Sequence, residues 1–272
     1  MAEGEICGRT TAFPVRVNLR LGYVAVTISA LPLARATLVN RYHPNHRDCL
    51  QTPQPMTKLE FFFDCSSPWT YLAFENIQPI AAAHGVAIEW RPILVGGLFN
   101  TVNPTVYASR AHPPPAVKAN YYSKDLKDWA TYTGIRIGSP PVFPVNSVKA
   151  MRGAFVAMEA GILVAYARTM FAAYWGDLQD ISQDDVLRPV IERAGLNAAD
   201  FFAKINAAKY KDLLRANTEE LIARGGFGSP SIFIDETDMY FGNDRLALVD
   251  HRLGGKPLRT MPGALHHAGP AS

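Results

Sequence analysis

Lys58-Leu59-Glu60-Phe61-Phe62-Phe63-Asp64-Cys65-Ser66-Ser67-Pro68-Trp69-Thr70-Tyr71-Leu72 is the stretch on which the fold turns. Its first half is short, apolar and aromatic, the make-up of a buried strand whose wide side chains pack on a pleated surface. Its second half changes period. Ser67 precedes a proline, and Trp69, Leu72, Ile77 and Ile80 then recur at helical spacing until Gly85 stops the run. Serine at the cap and proline in the first turn are helix-start signals, because the hydroxyl satisfies a free N–H and proline has none to leave unpaired. Val86 to Leu94 reads as a second strand. Strand, helix and strand in this order predict a parallel pair joined by a right-handed crossover.

Outward from this unit, residues from about Asn103 to Arg224 are almost wholly helical in pattern, with segments near 118–133, 147–174, 184–194, 198–207 and 209–223. Ser231 to Asp235 and Met239 to Phe241 then read as strands either side of a Glu236-Thr237-Asp238 turn, and a last helix starts near Asp244. The expected class is α/β. A β-α-β half, a helical insertion over about 100–224 and a β-β-α half resemble the outline of a thioredoxin-like fold with a large all-helical insertion. The first 55 residues contain Arg but no Lys, carry several prolines and show no sustained period. Residues 1–56 are therefore expected to be a tail, with Met56 a possible start, and the Gly-, Pro- and His-rich residues 254–272 a second one. The folded unit is expected to span 57–253.

Bulk composition narrows the function classes. The 272 residues are 48% apolar and 19% charged, enough to bury a full core. A net charge of +3 with no compact Lys/Arg run argues against a nucleic-acid surface. Cysteines are Cys7, Cys49 and Cys65, too few for a disulfide framework. No run reaches the roughly 18 apolar residues of a membrane span, and the N-terminus lacks the basic-then-apolar order of a secretory signal. A cytoplasmic protein without membrane, nucleic-acid or metal partner is expected.

The chemistry should lie where the first strand hands over to the helix, since a helix N-terminus offers free N–H groups and partial positive charge. Redox proteins of the thioredoxin-like superfamily carry Cys-Pro-x-Cys at this turn; here it reads Ser67-Pro68-Trp69-Thr70. Hydroxyls replace both sulfurs, so the turn cannot shuttle a disulfide. Its dipole and the Ser67 hydroxyl can still stabilise an incoming thiolate, and the sulfur must then come from a cofactor. The competing reading is that Ser67 only caps the helix. Phe227-Gly228-Ser229-Pro230 precedes the third strand, where the superfamily keeps a cis-proline facing that turn; an ordinary trans strand-start proline is the alternative. There the backbone of Ser229 could pair with a peptide as an added strand does. Asn243 and Asp244 stand at the last helix's start, suited to capping and also to holding a zwitterionic amino-acid head.

Asp64-x-x-Ser67-Pro68-Trp69-x-Tyr71-Leu72-Ala73, Trp90-Arg91-Pro92, Lys118 before Asp125-Leu126, Phe143-Pro144-x-Asn146, Phe227-Gly228-x-Pro230 and Gly242-Asn243-Asp244-Arg245-Leu246 follow one another across the folded unit. The set resembles the 2-hydroxychromene-2-carboxylate isomerase family, which shares a DsbA-like architecture with the kappa-class glutathione transferases. That resemblance implies glutathione as cofactor, with Ser67 activating its sulfur, Ser229 and Pro230 meeting its cysteinyl backbone, and Asn243 and Asp244 its γ-glutamyl group. Asn103 and Lys118 would meet the rest of the tripeptide. It further implies a small aromatic substrate, a homodimer, and interconversion of 2-hydroxychromene-2-carboxylate with trans-o-hydroxybenzylidenepyruvate in naphthalene-type catabolism. A kappa-like transferase and a thiol-disulfide oxidoreductase are the alternatives, the last needing Cys65 as a reactive thiol rather than a buried small hydrophobe. Arg91 could hold a substrate carboxylate or be a paired surface group. Trp69 and Tyr71 could line a pocket or belong to the core.

Overall fold

The structure, a computed structural model, describes residues 57–102 and 114–255. The expected N-terminal tail, Asn103 and residues from Lys256 onward lie outside these. Strand β1 (Leu59–Phe63) leads through helix α1 (Pro68–Ala83) to β2 (Ile88–Pro92), and β3 (Ser231–Ile234) and β4 (Asp238–Phe241) follow much later. They form one four-stranded sheet in the order β2-β1-β3-β4. β1 runs parallel to β2 and antiparallel to β3, which runs antiparallel to β4. This is the thioredoxin-like sheet, with helices interposed between β2 and β3.

β1 is buried on both faces, as its consecutive Phe61-Phe62-Phe63 requires. Its period of two sorts the side chains. Leu59, Phe61 and Phe63 join the main core with α1, whereas Phe62 packs on the opposite face with Ile93, Leu98, Leu221 and Phe233. Glu60 shares that second face and is fully buried, yet it is bonded twice by the Arg224 guanidinium, at 3.1 and 2.6 Å. Burial alone would push its carboxyl up, but the Arg224 bonds and charge outweigh this and hold it below the usual range.

Between β2 and β3 run α2 (Val95–Val102), α3 (Ala116–Thr133), α4 (Val148–Glu159), α5 (Leu163–Phe171), α6 (Asp184–Arg193), α7 (Ala198–Asn206) and α8 (Ala208–Ala223). Two departures from the sequence expectation have identifiable causes. The stretch 147–174 is two helices, because Gly161 takes φ +70° and turns the chain between them. And α2 starts well before Asn103: its Gly96-Gly97 pair disguises it, while the carboxylate of Asp64 accepts from its first N–H at 2.9 Å.

The α4 helix crosses α7 closely enough that a Cβ on Gly153 would lie 2.2 Å from the Phe201 ring. A π-helical turn, Ala172–Gly176, continues α5 and lets Trp175 donate to the Cys65 carbonyl at 2.9 Å, tying the helical layer to the turn before α1. After β4 a short 3₁₀ turn, Asn243–Arg245, leads into α9 (Leu246–Leu253). Among the described residues no helix is long and apolar enough to cross a membrane.

Candidate active site

Sheet register alone brings the expected residues together. Phe62 pairs with Ser231 and Ser231 with Phe241, so the residues just before β3 and just after β4 stand at the end of β1 where α1 begins. The Gly242 N–H donates to the Pro230 carbonyl at 3.2 Å and extends that alignment by one residue.

Ser67 is the N-cap of α1: its hydroxyl oxygen accepts from the Thr70 N–H at 3.2 Å. The same hydroxyl donates to the Ser229 carbonyl at 3.2 Å. Capping uses a lone pair and donation uses the proton, so the two readings of Ser67 are compatible in one side chain. The Ser229–Pro230 peptide is cis, and so is Phe143–Pro144, for which the sequence reading gave no cis expectation. The Ser229 hydroxyl accepts from the Asp64 N–H at 3.0 Å and shares a 2.8 Å bond with the Thr70 hydroxyl. Thr70, in the place of the second sulfur, is thus a buried brace for the Ser229 turn.

Beneath the turn lies Asp64, fully buried. Its carboxyl accepts from the Ser66 N–H, the Val95 N–H and the Ser147 hydroxyl at 2.9, 2.9 and 3.0 Å, so it joins β1 to the starts of α2 and α4. Burial pushes its pKa up, although these donors pull the other way. Cys65 is also buried, and burial followed by the Asp64 charge raises its thiol well above the ordinary range. It is held as a neutral small side chain, against the reactive-thiol reading.

A cleft of about 430 Å³ opens beside Ser229 and Pro230, within the range of small-molecule sites. Gly242, Asn243 and Asp244 form one end, and Trp69 with Tyr121, Tyr122 and Trp129 of α3 forms the aromatic wall. Ser67 is not itself in the wall; it reaches the cleft through Ser229. Asn243 is 3% exposed; its side-chain oxygen accepts from Asn76 at 3.0 Å while its Nδ2 is buried without a partner. A dehydrated, unpaired amide is costly. Asp244 is exposed and paired with Arg245. Gly242 takes φ +97°, and a Cβ there would come 2.8 Å from an Asp244 carboxylate oxygen, so only glycine makes this corner.

Not every expectation reaches the site. Lys118 is exposed on the first turn of α3 and does not line the cleft. Arg91 pairs with Glu89 and Glu220 and lies 5.3 Å from the Phe62 ring centroid, so it is a structural pair on the sheet's other face. Tyr71 is core, stacked on Phe171 at 4.9 Å, whereas Trp69 lines the cleft. The α3 aromatics were missed. Their signal was the 121/122, 125, 129 stripe at helical spacing, which with Asp125 faces the cleft.

A model of the DSBA-like thioredoxin domain matches residues 58–254. The chain belongs to that family. The 2-hydroxychromene-2-carboxylate isomerase of Pseudomonas sp. (strain C18) is 28% identical over 202 residues, covering 74% of this chain and 92% of that one. Human glutathione S-transferase kappa 1 is also 28% identical, over 232 residues and 98% of its length. A solved 2-hydroxychromene-2-carboxylate isomerase superposes with a TM-score of 0.61 at 25% identity, over 72% of this chain and 94% of that one.

Proposed function

We propose that this DSBA-like domain is a glutathione-dependent enzyme, and specifically an isomerase interconverting 2-hydroxychromene-2-carboxylate and trans-o-hydroxybenzylidenepyruvate. The observation that carries the reading is a Ser67 hydroxyl at the start of α1, aimed at the Ser229–Pro230 bond, beside a cleft holding a buried, partnerless Asn243 amide. The residues suit a tripeptide thiol with a zwitterionic end. The Asn243 Nδ2 offers a donor for a carboxylate, the Asp244 and Asp125 carboxylates suit an ammonium, and the backbone at Ser229 offers a peptide-pairing edge.

Bound glutathione would supply a thiolate that adds to the conjugated carbon, frees rotation about that bond and is expelled again, with no net oxidation. Ser67 would turn its proton from the Ser229 carbonyl toward the sulfur while its oxygen kept the Thr70 N–H. With the positive end of α1 it favours the thiolate over the thiol. Thr70 and the Asp64 N–H fix the Ser229 hydroxyl and so the peptide edge behind it. Tyr121, Tyr122 and Trp129 offer flat faces for an aromatic substrate and narrow the access of water.

A kappa-like transferase would use the same thiolate on an electrophile that does not release it, and the human relative's name supports keeping that reading second. Thiol-disulfide exchange has no support in the turn, whose hydroxyls carry no sulfur and whose neighbour Cys65 is buried. The test combines calorimetry with reduced glutathione and product analysis on isomerisable and conjugable substrates. No binding heat at millimolar glutathione sinks the proposal, and conjugates without isomerised product favour the transferase.

A further inference from the structure

A second cavity, of about 410 Å³, lies where α2, α4 and α8 meet, and it shares no lining residue with the cleft beside Ser229. On α8, Lys211, Leu214, Arg215, Thr218 and Ile222 recur at helical spacing and so present one stripe to it. Val148 and Arg152, one turn apart on α4, form the facing wall, and Gly97 of α2 leaves room where a side chain would stand. An added Cβ on Gly97 would meet the Thr218 methyl only at 3.8 Å, so the space is open and the position is unstrained.

The charges in this cavity do not cancel. Arg215 faces both acidic residues of the lining, Asp212 at 2.9 Å and Glu219 at 3.9 Å, so with Arg152 and Lys211 the lining sets three cations against two carboxylates and stays net positive. Arg152 and Lys211 have no ion pair or side-chain hydrogen bond among the described residues, and the Arg152 Nε is buried with no partner at all. The Arg152 Nη groups, which make no bond among the described residues and are not buried like its Nε, are the donors that a planar anion can take. Leu94, Val148, Leu214 and Ile222 supply an apolar surface beneath it.

We propose that this cavity binds a small organic anion, a carboxylate carried on an apolar, ring-sized body, with Arg152 and Lys211 on the carboxylate. The proposal is independent of glutathione, because no residue of it belongs to the Ser67 cleft.

The probe is 1-naphthoate, titrated into the full chain by calorimetry, with the neutral isostere 1-naphthamide alongside. Saturable naphthoate binding is expected, weakened at least about tenfold by Arg152→Gln or by the amide. Gly97→Leu, which would plug the cavity from α2, should abolish it. Circular dichroism melts would confirm that each variant folds. If Arg152→Gln does not fold, Lys211→Gln, at an exposed position on the cavity rim, carries the same expectation. Absence of naphthoate binding at millimolar concentration, equal binding of the amide, or unchanged affinity in the folded variants would each overturn the proposal.

Discussion

The Ser67 hydroxyl accepts from the Thr70 N–H and donates to the Ser229 carbonyl, each at 3.2 Å, so one side chain both caps α1 and faces the Ser229–Pro230 bond. Ser67→Ala should therefore have two separable effects. Loss of the cap costs about 1 kcal/mol, a fall in Tm of roughly 2–4 °C. Loss of the donor to a bound thiolate costs about 1.5–3 kcal/mol, so turnover should drop by about one to two orders of magnitude while the pKa of bound glutathione rises. Thiolate absorbance followed across pH in both proteins decides the matter. If Tm falls while thiol titration and turnover stay put, Ser67 is a cap and nothing more.

Asn243→Asp leaves the acceptor for Asn76 in place and replaces the partnerless Nδ2 by an oxygen. With a donor exchanged for negative charge, glutathione affinity should weaken by about ten- to a hundredfold, as expected for a charged hydrogen bond of about 1.5–3 kcal/mol. Calorimetric titration gives the dissociation constant directly, and an unaltered value would move the γ-glutamyl end elsewhere.

Glu60 and Arg224 predict an acid-sensitive stability. The folded pKa of Glu60 lies below its ordinary value, so the pair stabilises the fold above about pH 4.3 and that contribution is lost as pH falls through the folded pKa. Arg224→Met would leave the buried Glu60 carboxylate with the Lys58 ammonium alone, 3.2 Å away, and should cost at most about 3–5 kcal/mol at pH 7. In the variant Glu60 has lost that counter-charge and shifts upward, so acidification should narrow the gap to wild type. Urea unfolding at pH 7 and pH 4 tests this; a constant gap would mean that the pair contributes nothing specific.

The residues legible in advance share one property: their placement follows from local signals at the ends of strands. Ser67 announces a helix start, Ser229-Pro230 a strand start, and Gly242-Asn243-Asp244 a corner that needs φ +97°. Register then makes them neighbours without further instruction. Other features depended on contacts between distant segments. The start of α2 was hidden because Gly96-Gly97 argues against helix, and its stabiliser is Asp64, 31 residues earlier. Tyr121, Tyr122 and Trp129 were visible as a helical stripe, but only the packing of α3 beside α1 shows that the stripe faces the cleft. Arg91 was read as a possible substrate ligand because nothing near it in sequence announces Glu220, 129 residues later.

Gly153→Ala tests the packing of the helical layer. The new methyl would lie 2.2 Å from Phe201 and 2.4 Å from the Tyr166 hydroxyl, both fully buried, so the helices must part. Overpacking of this kind costs about 1–3 kcal/mol, and scanning calorimetry should show Tm lower by roughly 2–12 °C. A variant as stable as wild type would show that α4 and α7 meet more loosely than their geometry says.

The bond from the Asp64 N–H to the Ser229 hydroxyl spans 165 residues, and the Ser67 contact with the Ser229 carbonyl spans 162. Contacts this remote add loop-closure entropy and raise the contact order, which slows folding. On the ribosome, Ser67 is made early and waits through the synthesis of every intervening helix before the carbonyl it faces exists. The proposed chemistry is thereby withheld from incomplete chains: one ending at Arg224 would carry the α1 turn and the helical layer but neither Ser229 nor Asn243, and should give no heat with glutathione.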